Sequence, residues 1–395
     1  MRILVATDQW FPDFRGGSAR VARDTASLLA KRGHDLTVLA PRHPGEPDTW
    51  SQGSLEVRRM LPRGIVPQTF SDPVQVRRAL RYLRGPFDVL LAHQPTNAAG
   101  LLSARTGAPI VLVFHASVPR ELRFRSSKLP IGREGLTAAV MARPLALFER
   151  SAVRRAHSIL VLSEFSRSIL EADHPRVAER IRLVGGGVDV RAFAPEDGPR
   201  AAREILGLDP GETILLTVRR LEPRMGIEPL LHAIRLLLDS RKLRLAIAGS
   251  GMLKSRLEAL TAELGLGEQV DFLGRLPEER LRLWYRAADL FVLPTVAYEG
   301  FGMATVEALA SGTPVVGTHV GATPELLEPF EPRLIAPSAS AADLAGAITS
   351  ALELTGASLR ARCREYAVSR FDSSSTISTW EDALLDAVHS RGRPG

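Results

Sequence analysis

Short apolar runs alternate with amphipathic segments along the whole chain. Arg2–Thr7, Leu36–Ala40, Val89–Ala92, Ile110–Phe114, Ser158–Leu162 and Ile181–Val184 are compact apolar runs and predict buried strands. Between them, Ala19–Arg32, Ala98–Thr106 and Arg143–Arg155 read as helices. The alternation pauses at GGGVDVRAFAPEDGP, residues 185–199, whose Gly, Pro and charge mark a linker. It then restarts. Strands are predicted over Ile214–Val218, Arg244–Ala248, Val270–Leu273, Leu290–Leu293 and Thr313–Gly317, with helices over Ile227–Ser240, Met252–Leu264 and Pro277–Ala288. A final amphipathic segment, Ser373–Val388, predicts a terminal helix. Strands apolar throughout, alternating with helices, belong to parallel sheets covered on both faces. The expected fold class is α/β: two doubly wound, Rossmann-like parallel-sheet domains, residues 1–190 and 191–372.

The length of 395 residues is enough for two ordinary cores. One cysteine, Cys363, excludes an internal disulfide and a cysteine-rich metal site. The start, MRILVATDQW, reads as a first strand rather than a signal peptide, and no apolar run is long enough to cross a bilayer. A cytoplasmic location is expected. The net charge is +7, and nearly all of the positive charge is arginine. One group is Arg58, Arg59, Arg63, Arg77, Arg78, Arg81 and Arg84. A second lies between Arg120 and Arg155 and includes Arg123, Arg125, Lys128, Arg133, Arg143, Arg150 and Arg154. A solvated arginine-rich surface is one reading. Attraction to an anionic membrane or a phosphorylated acceptor is the other, with peripheral association at the inner membrane face. Nucleic acid is disfavoured as a partner, because no recognition motif or aromatic stacking platform accompanies the charge.

The most informative stretch is EGFGMATVEALASGTPVVGTHVGATPE, from Glu299 to Glu325. It sets two carboxylates, Glu299 and Glu307, around a glycine-containing loop that turns into a helix. Unpaired N–H groups at a helix start attract phosphate, and a carboxylate accepts from neighbouring sugar hydroxyls. A second stretch, TVRRLEPRMG, places Arg219, Arg220 and Arg224 directly after a strand. No Asp-x-Asp arrangement offers to hold a metal, so protein cations must neutralise a diphosphate if one binds. In DQWFPDFRGGSARVARD, Gly16 and Gly17 open a helix where backbone can approach a ligand closely. His115 ends a strand in VLVFHAS. His93 does so in LLAHQPTN, where it either lines an acceptor or is structural.

The run EGFG, EALASGTPVV, GATPE resembles the donor-binding signature of retaining glycosyltransferases, family 4 in particular. The resemblance implies the glycosyltransferase B fold, with a nucleotide sugar in the cleft between domains and the helix 373–395 packing back on the N-terminal domain. It implies transfer of a hexosyl unit from a UDP- or GDP-linked sugar to a lipid-linked, glycan or small-molecule acceptor, without metal or cofactor. The leaving phosphate is expected to help deprotonate the incoming hydroxyl on the same face. By this resemblance His115, Arg220 and Glu299 carry the chemistry. Gly16, Gly17, Arg219, Arg224, Gly300, Phe301, Gly302, Met303 and Glu307 bind the donor. Leu273, Gly274 and Arg275, in FLGRL, hold the base. Arg220 fits the family's arginine position, whereas the family's lysine is here Met225. Arg219 or Arg224 then has to replace that lysine's charge. Two other readings use the same fold: a nucleotide-sugar epimerase, and a binding protein without catalysis, which Met225 favours. A dinucleotide dehydrogenase is disfavoured, because Asp8 to Arg15 intervene between the first strand and Gly16.

Overall fold

The structure is a computed structural model that describes residues 1–10, 16–42, 45, 47–60, 68–83, 85–104, 106–128, 133–238 and 242–390. Arg63, Arg84, the end of the predicted helix at Ser240 and the last five residues of 373–395 lie outside the described residues. The chain divides into two compact units. The first is Met1–Gly186 with the chain from Ser373 onward; the second is Gly187–Asp372.

Among the described residues the first unit holds β1 (Arg2–Ala6), β2 (Asp35–Pro41), β3 (Thr49–Gln52), β4 (Leu55–Met60), β5 (Val89–His93), β6 (Ile110–Val113), β7 (Ser158–Val161) and β8 (Ile181–Leu183). Their order in the sheet is β3-β4-β2-β1-β5-β6-β7-β8. All neighbours are parallel except β3 and β4. The winding reverses between β1 and β5, where Ala6 sits opposite Ala92. The antiparallel pair β3–β4 is not among the predicted strands. Every residue of β3 is exposed, so it buries no face and leaves no apolar run to read.

The first core joins Leu4, Leu90 and Leu112 of the sheet to Leu101, Val153 and Leu170 of the covering helices. The helices Gln68–Leu80 and Arg133–Arg155 both pack on the short buried helix Pro95–Ser103. Gly100 permits this approach: a Cβ there would lie 2.8 Å from Val76 Cβ and 2.9 Å from the Pro73 carbonyl. The terminal helix Ser373–Ser390 packs on the helix Gly17–Lys31 and buries Ile377, Trp380 and Leu384. Glu381 fastens it, accepting from Arg32 Nε at 2.6 Å and lying 2.7 Å from His34 Nε2.

The second unit holds β9 (Thr213–Val218), β10 (Leu243–Ala248), β11 (Val270–Gly274), β12 (Leu290–Leu293), β13 (Val315–Thr318) and β14 (Ile335–Ala336). The order is β11-β10-β9-β12-β13-β14, all parallel. This is the doubly wound arrangement in which ligands bind at the reversal, here between β9 and β12. Leu215, Leu245, Ile247 and Val292 of the sheet meet Leu230, Ile234, Leu344 and Ile348 of the helices in a continuous core. Near the unit's two ends, the Val188 N–H donates to the Phe371 carbonyl at 2.8 Å, and Val188 bridges Asp372.

Burial pulls the Glu381 carboxyl up, but hydrogen bonds and charge from Arg32 and His34 outweigh this and hold it below the usual carboxylate range. Its contribution to stability is therefore complete above the ordinary carboxylate pKa and is lost as pH falls through the lowered one. Glu381→Ala is expected to lower unfolding free energy by about 1–2 kcal/mol at neutral pH. Denaturant unfolding across pH checks this: the gap between variant and parent must close on the acid side.

Candidate functional site

In the second unit the reversal between β9 and β12 brings together loops far apart in sequence. Arg219 directly follows β9 and is buried. Its Nη2 donates to Thr295 Oγ1 at 2.7 Å and lies 2.7 Å from Glu299 Oε2. Thr295 Oγ1 in turn donates to the same Glu299 oxygen at 3.0 Å. Arg224 Nη1 donates to the Tyr298 carbonyl at 2.8 Å, which brings a second cation to this loop. Burial pushes the Glu299 carboxyl up. Arg219 and Arg224, with hydrogen bonds from Arg219 and Thr295, outweigh that and leave it below the usual range, so Glu299 is an anion.

Glycines hold these loops at a distance no side chain tolerates. A Cβ on Gly226 (φ 74°) would lie 1.6 Å from the Pro294 carbonyl oxygen. One on Gly249, in GSGM, would lie 1.8 Å from the Arg219 carbonyl oxygen, and one on Gly321 would lie 2.4 Å from that of Glu299. The GSGM turn thus clamps the backbone that carries Arg219. Tyr298, at φ 58°, is one of two described non-glycine residues with positive φ and directly precedes Glu299.

Glu307 lies buried on the helix Met303–Ala310, with Gly302 (φ 94°) as its N-cap. Its Oε2 accepts from Tyr285 Oη at 2.8 Å. Gly300, Phe301, Gly302 and Met303 form the turn into this helix. Phe301 packs edge-on against Phe371, with ring centroids 6.2 Å apart. Met225 is buried, at the end of the turn Pro223–Met225. Arg220, by contrast, is half-exposed and pairs with Glu222 at 3.2 Å. The loop after β9 therefore turns Arg219, not Arg220, towards Glu299. Leu273 and Gly274 end β11 and Arg275 is exposed beyond it. The Gly274 carbonyl accepts from Gly249 N at 2.7 Å.

In the first unit the neighbouring strands β5 and β6 bring His93 and His115 together. The two rings stack with centroids 5.2 Å apart, and His93 Nδ1 lies 3.0 Å from His115 Nε2. Burial pushes His115 down to about 4. Burial, with the neighbouring His115, also puts His93 well below the ordinary value. Both rings are thus neutral at pH 7, and one N–H is shared between them. His93 Nε2 is buried without a partner. An orphaned acceptor is cheaper to bury than an orphaned N–H. That assigns the shared proton to His93 Nδ1 and leaves His115 with its own proton on Nδ1. Gly16 caps the helix Gly17–Lys31, and both glycines are exposed.

Thr295 and Tyr285 were not singled out by the sequence. Thr295 stands four residues before Glu299, and Tyr285 sits on a helix facing the core. No spacing distinguishes either from an ordinary buried residue. No group of acids, histidines or cysteines among the described residues is arranged to hold a metal ion.

Two family models match in tandem. One described as "Glycosyltransferase Family 4" covers residues 15–192, and one described as "Glycosyl transferases group 1" covers residues 200–370. Among curated proteins, a D-inositol 3-phosphate glycosyltransferase from a Mycobacterium species is 37% identical over 224 residues, 56% of this chain and 51% of that protein. The match therefore spans about half the length of that relative. An MMP alpha-(1->4)-mannosyltransferase from Mycolicibacterium hassiacum is 28% identical over 344 residues, 80% of each chain. Among solved structures, sucrose-phosphate synthase from Thermosynechococcus elongatus superposes with a TM-score of 0.82 at 22% identity, over 98% of this chain and 99% of that one. Anabaena HepE in complex with UDP and glucose gives 0.74 at 21% identity, over 98% and 100%.

Removing one partner of a buried ion pair strands the other charge. Glu299→Leu alone is expected to cost about 3–5 kcal/mol of stability, and adding Arg219→Met to recover most of it. Denaturant unfolding of the two single variants, the double variant and the parent measures this coupling. Additive losses would show that the pair does not organise the loops.

Proposed function

Because the chain belongs to the glycosyltransferases built from a family 4 half and a group 1 half on the glycosyltransferase B fold, we propose that it is a metal-independent, retaining hexosyltransferase. Its donor is a UDP- or GDP-linked sugar, and its acceptor is lipid-linked, a glycan or a small molecule. The observation that carries this reading is the buried Arg219–Thr295–Glu299 arrangement at the reversal of the second sheet.

Breaking the bond between the anomeric carbon and the diphosphate leaves negative charge on the leaving group and positive charge on the sugar. Arg219 and Arg224 offer fixed cations for that diphosphate, which is the role of an absent lysine at Met225. Glu299 presents its second oxygen to sugar hydroxyls while Oε2 stays with Arg219 and Thr295. Glu307, oriented by Tyr285, takes the ribose hydroxyls. The amides of Gly300 to Met303 add donors for phosphate or sugar oxygens. Acceptor handling falls to the first unit, where His115, neutral at physiological pH, offers an N–H and not a charge. The leaving phosphate then takes the proton of the incoming hydroxyl.

Glu307→Gln is expected to weaken nucleotide-sugar binding roughly ten- to a hundredfold and to lower turnover, with the unliganded melting temperature unchanged. Near-normal kinetics would remove Glu307 from the site. A melting-temperature screen of UDP, GDP, ADP and their sugars identifies the donor, since a ligand of the folded state raises Tm. EDTA is expected to leave transfer intact, and a strict need for manganese would end the metal-independent reading.

A further inference from the structure

The helix Arg133–Arg155 of the first unit has two unlike faces. Inward it buries Ala142, Leu145 and Val153, together with Glu149, which accepts from Ser117 Oγ at 2.9 Å. Outward runs a stripe of Leu136, Val140, Arg143, Leu147, Arg150 and Arg154, at helical spacing. Leu136 is 69% exposed, Val140 63% and Leu147 66%, and the three share one stripe of one helix. The stripe is about 27 Å long, at 1.5 Å per residue. It contains no carboxylate among the described side chains, and no described acid pairs with its three guanidiniums. A second helix of the same layer, Gln68–Leu80, packs on the same underlying helix Pro95–Ser103. It and the turn after it also face outward with Arg77, Arg78, Arg81 and Tyr82, the tyrosine 80% exposed.

We propose that this outward layer of the first unit, centred on Leu136, Val140 and Leu147 with Arg143, Arg150 and Arg154, is a docking surface for an anionic lipid bilayer. Aliphatic side chains between arginines match the boundary of headgroups and acyl chains. Arginine stems lie along the apolar surface while their heads meet lipid phosphates. Each cation near such a surface adds attraction, and no carboxylate among the described side chains of the stripe opposes it. A second copy of the chain fits poorly, because a two-fold contact would set these arginines against themselves. Nucleic acid gains nothing from the three exposed aliphatics. The proposal does not rest on which sugar is transferred, or on whether transfer occurs.

The test is flotation of the full chain with vesicles of phosphatidylcholine, with and without phosphatidylglycerol, at low and high salt. The protein is expected to float with the anionic vesicles and to stay behind with the neutral ones. Combining Arg143→Gln, Arg150→Gln and Arg154→Gln should weaken binding about a hundredfold, at about fivefold per arginine. Combining Leu136→Gln, Val140→Gln and Leu147→Gln should abolish the part of binding that survives high salt. Equal melting temperatures show that both variants fold; if either does not, Arg150→Gln and Leu147→Gln are read singly. A control that removes Arg200, Arg235 and Arg256 of the second unit should float like the parent. No binding by the parent, or equal loss in the control, overturns the assignment. So does a sedimentation coefficient that falls in the apolar variant, which would place a second copy on this face.

Discussion

A guanidinium and a carboxylate buried against each other, Arg219 and Glu299, organise the second unit's candidate site. Neither charge is stable in the interior without the other, so the loops after β9 and β12 are tied wherever the pair forms. Thr295 closes the arrangement by accepting from one and donating to the other. Gly226, Gly249 and Gly321 let three backbones approach until no side chain could intervene. On the proposed reading these charges stand in position before a ligand arrives. An incoming diphosphate then meets cations that need not be gathered from solvent, which is the advantage of a preorganised electrostatic site.

Much of this was legible in the sequence. Buried parallel strands are continuous apolar runs, so β1, β5 and β6 in one unit and β9, β10 and β12 in the other stand out within a residue or two of their ends. The edge strand β3 does not, because its burial is nil. The signature run pointed to Glu299 and Glu307, and both are buried. Adjacent arginines are where a linear reading cannot say which side chain turns inward. Arg219 and Arg220 are identical in type, and only the direction of the chain leaving β9 decides which turns inward. Alignment to a family pattern favoured Arg220, while the backbone turns Arg219 to Glu299. Thr295 and Tyr285 act by hydrogen bonds to residues 4 and 22 positions away, a relation that spacing does not encode. The His93–His115 contact likewise depends on strand order, since β5 and β6 must be neighbours for the rings to stack.

The arginine excess also resolves into different physical roles once placed. Arg203 and Arg244 are tied to Asp289, Glu212 and Asp271 within the second unit and serve its fold. Arg143, Arg150 and Arg154 face outward on one helix without such partners among the described residues. Composition alone cannot separate these populations, because it counts charges without regard to what each one touches.

The hydrogen bond between Val188 and Phe371 places the entry and exit of the second unit side by side. Topologically, that unit is a cassette threaded into the other, and its ends already meet. It can fold as soon as its own residues have left the ribosome. The first unit is completed later, although it begins earlier: the helix Gly17–Lys31 receives the helix Ser373–Ser390 only after the whole cassette has been synthesised. The unit whose chain is begun first is therefore the unit completed last.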